Sequence, residues 1–513
     1  MRSANKVAIN TGVLYARMLI TMGISLYTTK VVLNALGSTD FGIFNLVAGV
    51  ITMLSFLNSA MTTSTQRFLS FFQGKRDIAM QKKVFTNSLI LHLGIGLIIV
   101  VGLEIVGFFL FNGFLSIPMI RLDAAKTIYQ FMSITVFFTI IAVPFNGSLT
   151  AHENMLWIAI VNVVETLLKL AIAIVLLRVN SDKLVLYGIL TSAISLISLI
   201  LYAGYCLKKY DECTLRNITQ VDRELITKLT SFAGWNLFGS LCGLGRSQGL
   251  AIMLNLFFGT IVNAAYGIAN QVSAQLNFLS ATMLRAINPQ IMKSEGAGDR
   301  QRMLKLSMIA SKLGYFLLAI VAIPCIFEMD TILKIWLKNV PEYTVSFCQL
   351  VLLGALINQL TIGLQSAIQA TGRIKLYQSV VGTIIFFNIP IAYFLLKWHY
   401  PAQAVLISYC TIELIACAFR MYFLKTQVGL SIREYCYRVF IKELFPSIVI
   451  VSSCIAISHF IYSDYRFIYT FSISMLLFMV SIYFTGLCDD EKNMLIQITL
   501  KIKNKFISVP GVI

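Results

Sequence analysis

Leu184–Leu207 and Phe467–Leu487 contain no charged residue, and each is long enough to cross the hydrocarbon core of a bilayer as a helix. Runs of this kind recur along the chain. They are continuously apolar rather than alternating, so helices are the spanning elements expected, because only a helix satisfies its own backbone in lipid. Composition agrees: 58% of residues are hydrophobic and 12% charged, where a soluble globular chain carries about 25% charge. The expected fold class is an all-α polytopic membrane protein of about fourteen transmembrane helices. They fall near residues 8–36, 41–66, 84–111, 124–148, 155–178, 184–207, 231–257, 262–288, 306–327, 343–370, 376–397, 402–424, 444–462 and 467–487. No cleavable signal is expected: Arg2 and Lys6 precede an apolar run, but Arg17 interrupts it and no small-residue cleavage site follows.

The formal charge of +18 raises the question of nucleic acid, and the placement of the charges answers it. With an even number of spans, both termini share a side. Of 41 Lys and Arg residues, 28 fall in segments on that side and nine on the other, with Arg17, Arg67, Lys169 and Arg246 within spans or near their ends. This asymmetry predicts cytoplasmic termini and explains the basic composition without nucleic acid. The ten cysteines are scattered, with no Cys-x-x-Cys pair, and read as small hydrophobes rather than metal or redox groups.

A weak internal repeat appears at an offset of 222 residues. It aligns Leu36-Gly37-Ser38 with Phe258-Gly259-Thr260, LSFLNSAM from Leu54 with LNFLSATM from Leu276, and Gly74–Asp77 with Gly296–Asp299. Six spans per copy is an even number, so the copies run parallel. The expected organisation is an N-terminal six-helix lobe at 1–207, a cytoplasmic linker at 208–230, a second six-helix lobe at 231–424, a linker at 425–443, two extra helices within 444–487, and an amphipathic cytoplasmic tail at 488–513. Val221–Leu229 also has an amphipathic pattern suited to the membrane surface. Two similar lobes suggest a transporter with its substrate path between them.

Polar residues in four spans are the candidate site. In the first, Asn10, Arg17, Thr21, Ser25 and Thr28 fall within about 80° of one another on a helix. Asn45, Thr52, Ser59 and Thr63 line one face of the second, with Gln66 and Arg67 near its inner end. Asn236 and Ser240 lie on one face of the seventh beside Arg246, and Asn263, Asn270, Asn277 and Asn288 mark the eighth, with Arg285 near its end. Each polar residue alone could be helix–helix glue. Four stripes holding two mid-span arginines instead suggest a hydrated cationic cavity for an anionic ligand, since guanidinium offers paired donors to phosphate. Glu165 and Lys169 have the spacing of a structural ion pair. Glu104, His92 and Glu413 could bind a coupling H+ or Na+, or could be structural.

Leu36-Gly37-Ser38-Thr39-Asp40-Phe41-Gly42 resembles the LG-x-x-D-[FY]-G signature of bacterial polysaccharide flippases of the Wzx type. Gln66-Arg67-Phe68-Leu69-Ser70 with Gly74–Asp77, and Asn288-Pro289-Gln290-Ile291 with Gly296–Asp299, resemble further elements of the same superfamily, which includes multidrug and toxin extruders. The resemblance implies export of an undecaprenyl-pyrophosphate-linked oligosaccharide to the periplasmic leaflet of the bacterial inner membrane, for O-antigen, capsule or another surface glycan. It implies a cavity lined by the first, second, seventh and eighth helices. On this reading Arg17, Arg246, Asn10, Thr21, Asn45, Asn236, Asn270 and Asn277 contact substrate, and Arg67 and Arg285 attend the cytoplasmic entrance. The partners are the lipid-linked glycan, the bilayer and other polysaccharide assembly proteins. No catalytic residue, metal or cofactor is expected. The rivals are a multidrug/cation antiporter on the same fold, whose cavity would favour acidic residues, and a membrane polysaccharide polymerase or ligase, which would need a catalytic exterior region.

Overall fold

The computed structural model describes residues 2–52, 55–114, 117–215, 221–337, 339–463 and 465–493. Among these the chain is helix and connecting turn, without a strand. Eleven helices are long and apolar enough to span a membrane, or twelve if Thr344–Gln359 and Ile362–Thr371, bent by 44°, count as one. The expected fourteen is not reached by that measure. Ser55–Gly74 and Thr260–Gly296, which carry much of the second and eighth expected spans, are long helices whose Asn, Ser, Thr and Gln residues lower their hydropathy. Large apolar side chains point outward, among them Ile98 at 71% and Phe108 at 68% exposure. Lipid is the solvent that makes such a surface stable. The chain is a multi-pass membrane protein.

The described residues form two compact units. One runs from Ile9 to Leu237 and takes in Gly296–Gly298; the other holds Phe238–Glu295 and the described chain from Asp299 onward. Their internal plans match. Helices begin at Ile78 and Leu122 in the first unit, and at Arg300 and Thr344 in the second, each pair 222 residues apart. Leu122–Ile141 packs on Lys183–Lys209, as Thr344–Gln359 packs on Gln403–Val428.

The repeated sequence motifs repeat their backbone. Gly37 and Gly259 both take positive φ, 75° and 83°, a conformation an L side chain adopts only with strain. The long helix Arg2–Thr52 kinks at Gly37. Asp77 caps Ile78–Phe109 by accepting from the Met80 amide at 2.9 Å, and Asp299 caps Arg300–Phe327 by accepting from Arg302 at 3.0 Å. Each cap satisfies an amide that the helix leaves open. The residues before them, Arg76 and Gly298, both have positive φ.

One feature lies elsewhere than the sequence pattern places it. Val221–Leu229 is not a separate surface segment: Arg223–Phe258 is one helix, and Leu225 and Leu229 on its first turns are buried. The amphipathic tail expected at 488–513 lies outside the described residues beyond Asn493.

Ile441–Phe460 and Arg466–Ser481 pack against each other and against Arg300–Phe327. Their anchor is Glu328, just past the end of that helix and 1% exposed. Arg466 donates to it through Nε and Nη2 at 2.9 and 3.1 Å, and the Thr470 hydroxyl at 2.8 Å. Phe316 and Phe478 meet edge to face between these same helices.

Candidate functional site

In the first unit, Asn10 is buried and its amide donates to the Glu153 carbonyl at 2.8 Å. It is therefore held by protein. Arg17 is half-buried on the same helix, within electrostatic reach of Tyr202, and the Thr21 hydroxyl donates back to the Arg17 carbonyl at 2.9 Å. Asn45 is exposed. Asn236 is buried and donates to the Phe232 carbonyl. Arg67 is buried among aromatic rings, with Phe68, Phe71 and Phe232 centred 4.6, 4.7 and 5.7 Å from its Cζ. Such ring faces favour a cation that has left water.

His92 is buried, with Nδ1 2.5 Å from the Ser88 carbonyl. Beside it lies a cavity of about 140 Å³ bordered by Ser64, Thr65 and Ser88 on its polar side and by Met61, Ile95 and Leu237 among its apolar walls. Glu104 is exposed on Ile78–Phe109.

In the second unit the structure joins two residues that the sequence pattern treats separately. Arg246 Nη1 lies 2.7 Å from Glu413 Oε1, with the side chains 13% and 2% exposed. The Asn358 amide donates to Glu413 Oε2 at 2.8 Å, and Arg420 Nη2 approaches the same oxygen at 4.0 Å. Arg420 is also held by the Thr361 hydroxyl at 3.1 Å. The Tyr409 ring centre is 4.5 Å from the Arg246 guanidinium carbon. Two cations face one carboxylate, so the cluster keeps a net positive charge. Gly354 makes room for it, because a Cβ there would collide with the Tyr409 ring.

Asn277 donates to the Ser273 carbonyl and hydroxyl at 2.9 and 3.0 Å and accepts from Gln359. Asn270 is half-buried and Arg285 exposed.

Sequence reasoning did not single out Arg420, although its seven-residue spacing from Glu413 places both on one helix face. Tyr409, one turn before Glu413, shares that face. Asn358 carries no comparable signal.

A second cluster explains the signature aspartate. Arg121 donates to Asp40 at 2.8 and 2.5 Å and to Asp182 at 2.8 and 3.0 Å. Asp182 also caps Lys183–Lys209 by accepting from Leu184 and Val185. One arginine thus ties three segments of the first unit that are distant in sequence. At the repeat offset, Val262 and Tyr343 replace Asp40 and Arg121, so this tie is absent from the second copy.

The family model described as "Polysaccharide biosynthesis protein" matches residues 7–295, more than half of the chain. The chain belongs to this polysaccharide biosynthesis protein family. The match includes Arg17, the Gly37–Asp40 signature and Arg246; Glu413 and Arg420 lie beyond it.

Solved structures share the fold of this family member at low identity. A MOP superfamily transporter from Pyrococcus furiosus Vc1 aligns with TM-score 0.69 and 14% identity, over 84% of this chain and 98% of that one. A multidrug resistance MATE family transporter in an outward-facing conformation aligns with TM-score 0.69 and 14% identity, over 84% and 98%. A MATE in the bent conformation aligns with TM-score 0.71 and 13% identity, over 83% and 98%. No curated protein sequence matches the chain.

Proposed function

We propose that this protein is a non-enzymatic flippase. It would carry an undecaprenyl-pyrophosphate-linked oligosaccharide from the cytoplasmic to the periplasmic leaflet of a bacterial inner membrane by alternating access, for O-antigen or another surface polysaccharide. The observation that carries this reading is the polysaccharide biosynthesis match over residues 7–295 on a chain with a MOP-transporter fold. Arg17 and Arg246 are the proposed contacts to the diphosphate, with Asn45, Asn270 and Asn277 along the glycan path. Arg67 and Arg285 attend the cytoplasmic mouth, and both termini are cytoplasmic.

The Arg246–Glu413 pair adds a coupling step to the proposal. An anionic head competes with Glu413 for Arg246, and a proton on Glu413 favours the substrate in that competition. Coupling is then an exchange of partners at one guanidinium.

A multidrug antiporter is the second reading because the structural neighbours include MATE transporters. The charge of the Arg246–Glu413–Arg420 cluster weighs against a cationic substrate. Reconstitution into vesicles separates the two. A flippase moves fluorescent lipid-linked oligosaccharide between leaflets, and its Arg17→Ala variant inserts normally but loses most of that movement. Drug-driven cation exchange without lipid movement would overturn the flippase reading, and full export by inserted Arg17→Ala would overturn the site.

A further inference from the structure

Glu443 is 2% exposed near the start of Ile441–Phe460, and neither of its carboxyl oxygens has a hydrogen-bond partner among the described residues. An ionised carboxylate in that state would bear a large desolvation penalty. A neutral carboxyl would not. The nearby cation is Lys312 of Arg300–Phe327, itself 1% exposed. It is already engaged: its ammonium donates to Glu491 at 2.5 Å and approaches Cys488 Sγ at 3.7 Å.

The other titratable groups facing Glu443 cannot replace Lys312. Tyr315 is bonded to the Ser447 hydroxyl at 2.7 Å, and the Tyr435 hydroxyl donates to the Leu360 carbonyl at 2.7 Å. Cys417 is a buried thiol directed at the Ile357 carbonyl. Arg438, on the segment before this helix, is held by Glu434 and Asp490. A cavity of about 360 Å³ bordered by Tyr315, Leu414, Phe440, Leu444 and Ser447 adjoins Glu443.

We propose that Glu443 is a proton-binding site that controls the grip of Lys312 on the Cys488–Asn493 segment. With Glu443 neutral, Lys312 stays on Glu491 and holds that segment against the helix. When the proton leaves, the new carboxylate draws Lys312 away from Glu491, and the segment loosens, left with the ties of Asp490 to Lys305 and Arg438. The site is independent of the substrate reading, since no residue assigned to substrate takes part.

Infrared difference spectra of the full-length protein in nanodiscs, between about pH 6 and about pH 9, test the proton directly. The expected result is a protonated-carboxyl C=O band that Glu443→Gln removes and Glu413→Gln leaves. Should the Gln variant fail to insert, Glu443→Asp is expected to shift the same band. A band unchanged by either Glu443 substitution overturns the proposal. Maleimide labelling of Cys488 in a Cys436→Ser background tests the loosening. Raising the pH should speed labelling severalfold more in the parent than in Glu443→Gln, and equal acceleration in both overturns the switch.

Discussion

Arg246 and Glu413 form a close ion pair within the second unit, 2.7 Å between Nη1 and Oε1, with almost no solvent at the carboxylate. Removing one partner of such a pair strands the other, at a cost of about 3–5 kcal/mol. Glu413→Gln is therefore expected to lower the unfolding temperature more than Arg246→Met. Glu413 answers two arginines, whereas Arg420 still balances the carboxylate when Arg246 is gone. The Arg246→Met/Glu413→Gln double variant should lose less than the sum of the two. Thermal unfolding in detergent measures all three, and strict additivity would mean that the pair is energetically idle.

Tyr409 and Gly354 position that guanidinium without belonging to the pair. Gly354→Ala places a methyl against the Tyr409 ring and must move it. The ring can no longer lie 4.5 Å from Arg246, so a cation–π contribution of about 0.5–2 kcal/mol is lost. The expected outcome is weaker transport with normal insertion. Tyr409→Phe, which keeps the ring face, should transport as the parent does. Equal losses in Gly354→Ala and Tyr409→Phe would point to the hydroxyl instead.

The glycines of the repeat allow a cleaner test, since a Cβ at Gly37 or Gly259 meets nothing within 4 Å. Any cost of Gly37→Ala or Gly259→Ala comes from the backbone conformation alone, about 1–3 kcal/mol. Both should lower stability by similar amounts, because the two backbones are nearly alike in φ at 75° and 83°. Calorimetry on the purified variants reads the pair. A neutral Gly37→Ala would mean that the kink relaxes without cost.

Much of the fold was legible because bilayer physics is coarse. Uninterrupted apolar runs such as Leu184–Leu207 can be read residue by residue, and the 222-residue repeat announced both glycines and both aspartate caps. The span count was harder. The polar residues that made Ser55–Gly74 and Thr260–Gly296 interesting also lower their hydropathy. The site was legible in kind but not in pairing. Arg246 and Glu413 are separated by a long stretch of chain, and no local period encodes such a contact. Arg67 illustrates the same limit: its position near a span end is legible, but the three phenylalanines around its guanidinium, one of them distant in sequence, are not. The role of Asp40 was hidden for the same reason, since Arg121 and Asp182 reach it only through tertiary packing.

The Asp40–Arg121–Asp182 tie gives the protein an acid-sensitive element at Asp182, just before the span Lys183–Lys209. The Arg121 hydrogen bond is the main cause that holds the Asp182 carboxyl below its ordinary value, with two backbone amides assisting against burial. A depressed carboxylate stabilises the folded state above its ordinary value of about 3.9, and that stabilisation disappears as the pH falls through the folded value. Asp182 and Arg121 are 38% and 24% exposed, so the pair belongs with solvent-screened bridges worth about 0.2–1 kcal/mol. Arg121→Met should accordingly be less stable than the parent at neutral pH by a margin of that order, somewhat enlarged by the loss of Asp40. The margin should hold down to about pH 4 and shrink below it, because protonation removes from the parent what the substitution has already removed from the variant. Unfolding temperatures of both proteins across this range measure the margin. A gap that stays constant through acid would show that Arg121 acts by packing its stem rather than by holding the two aspartates.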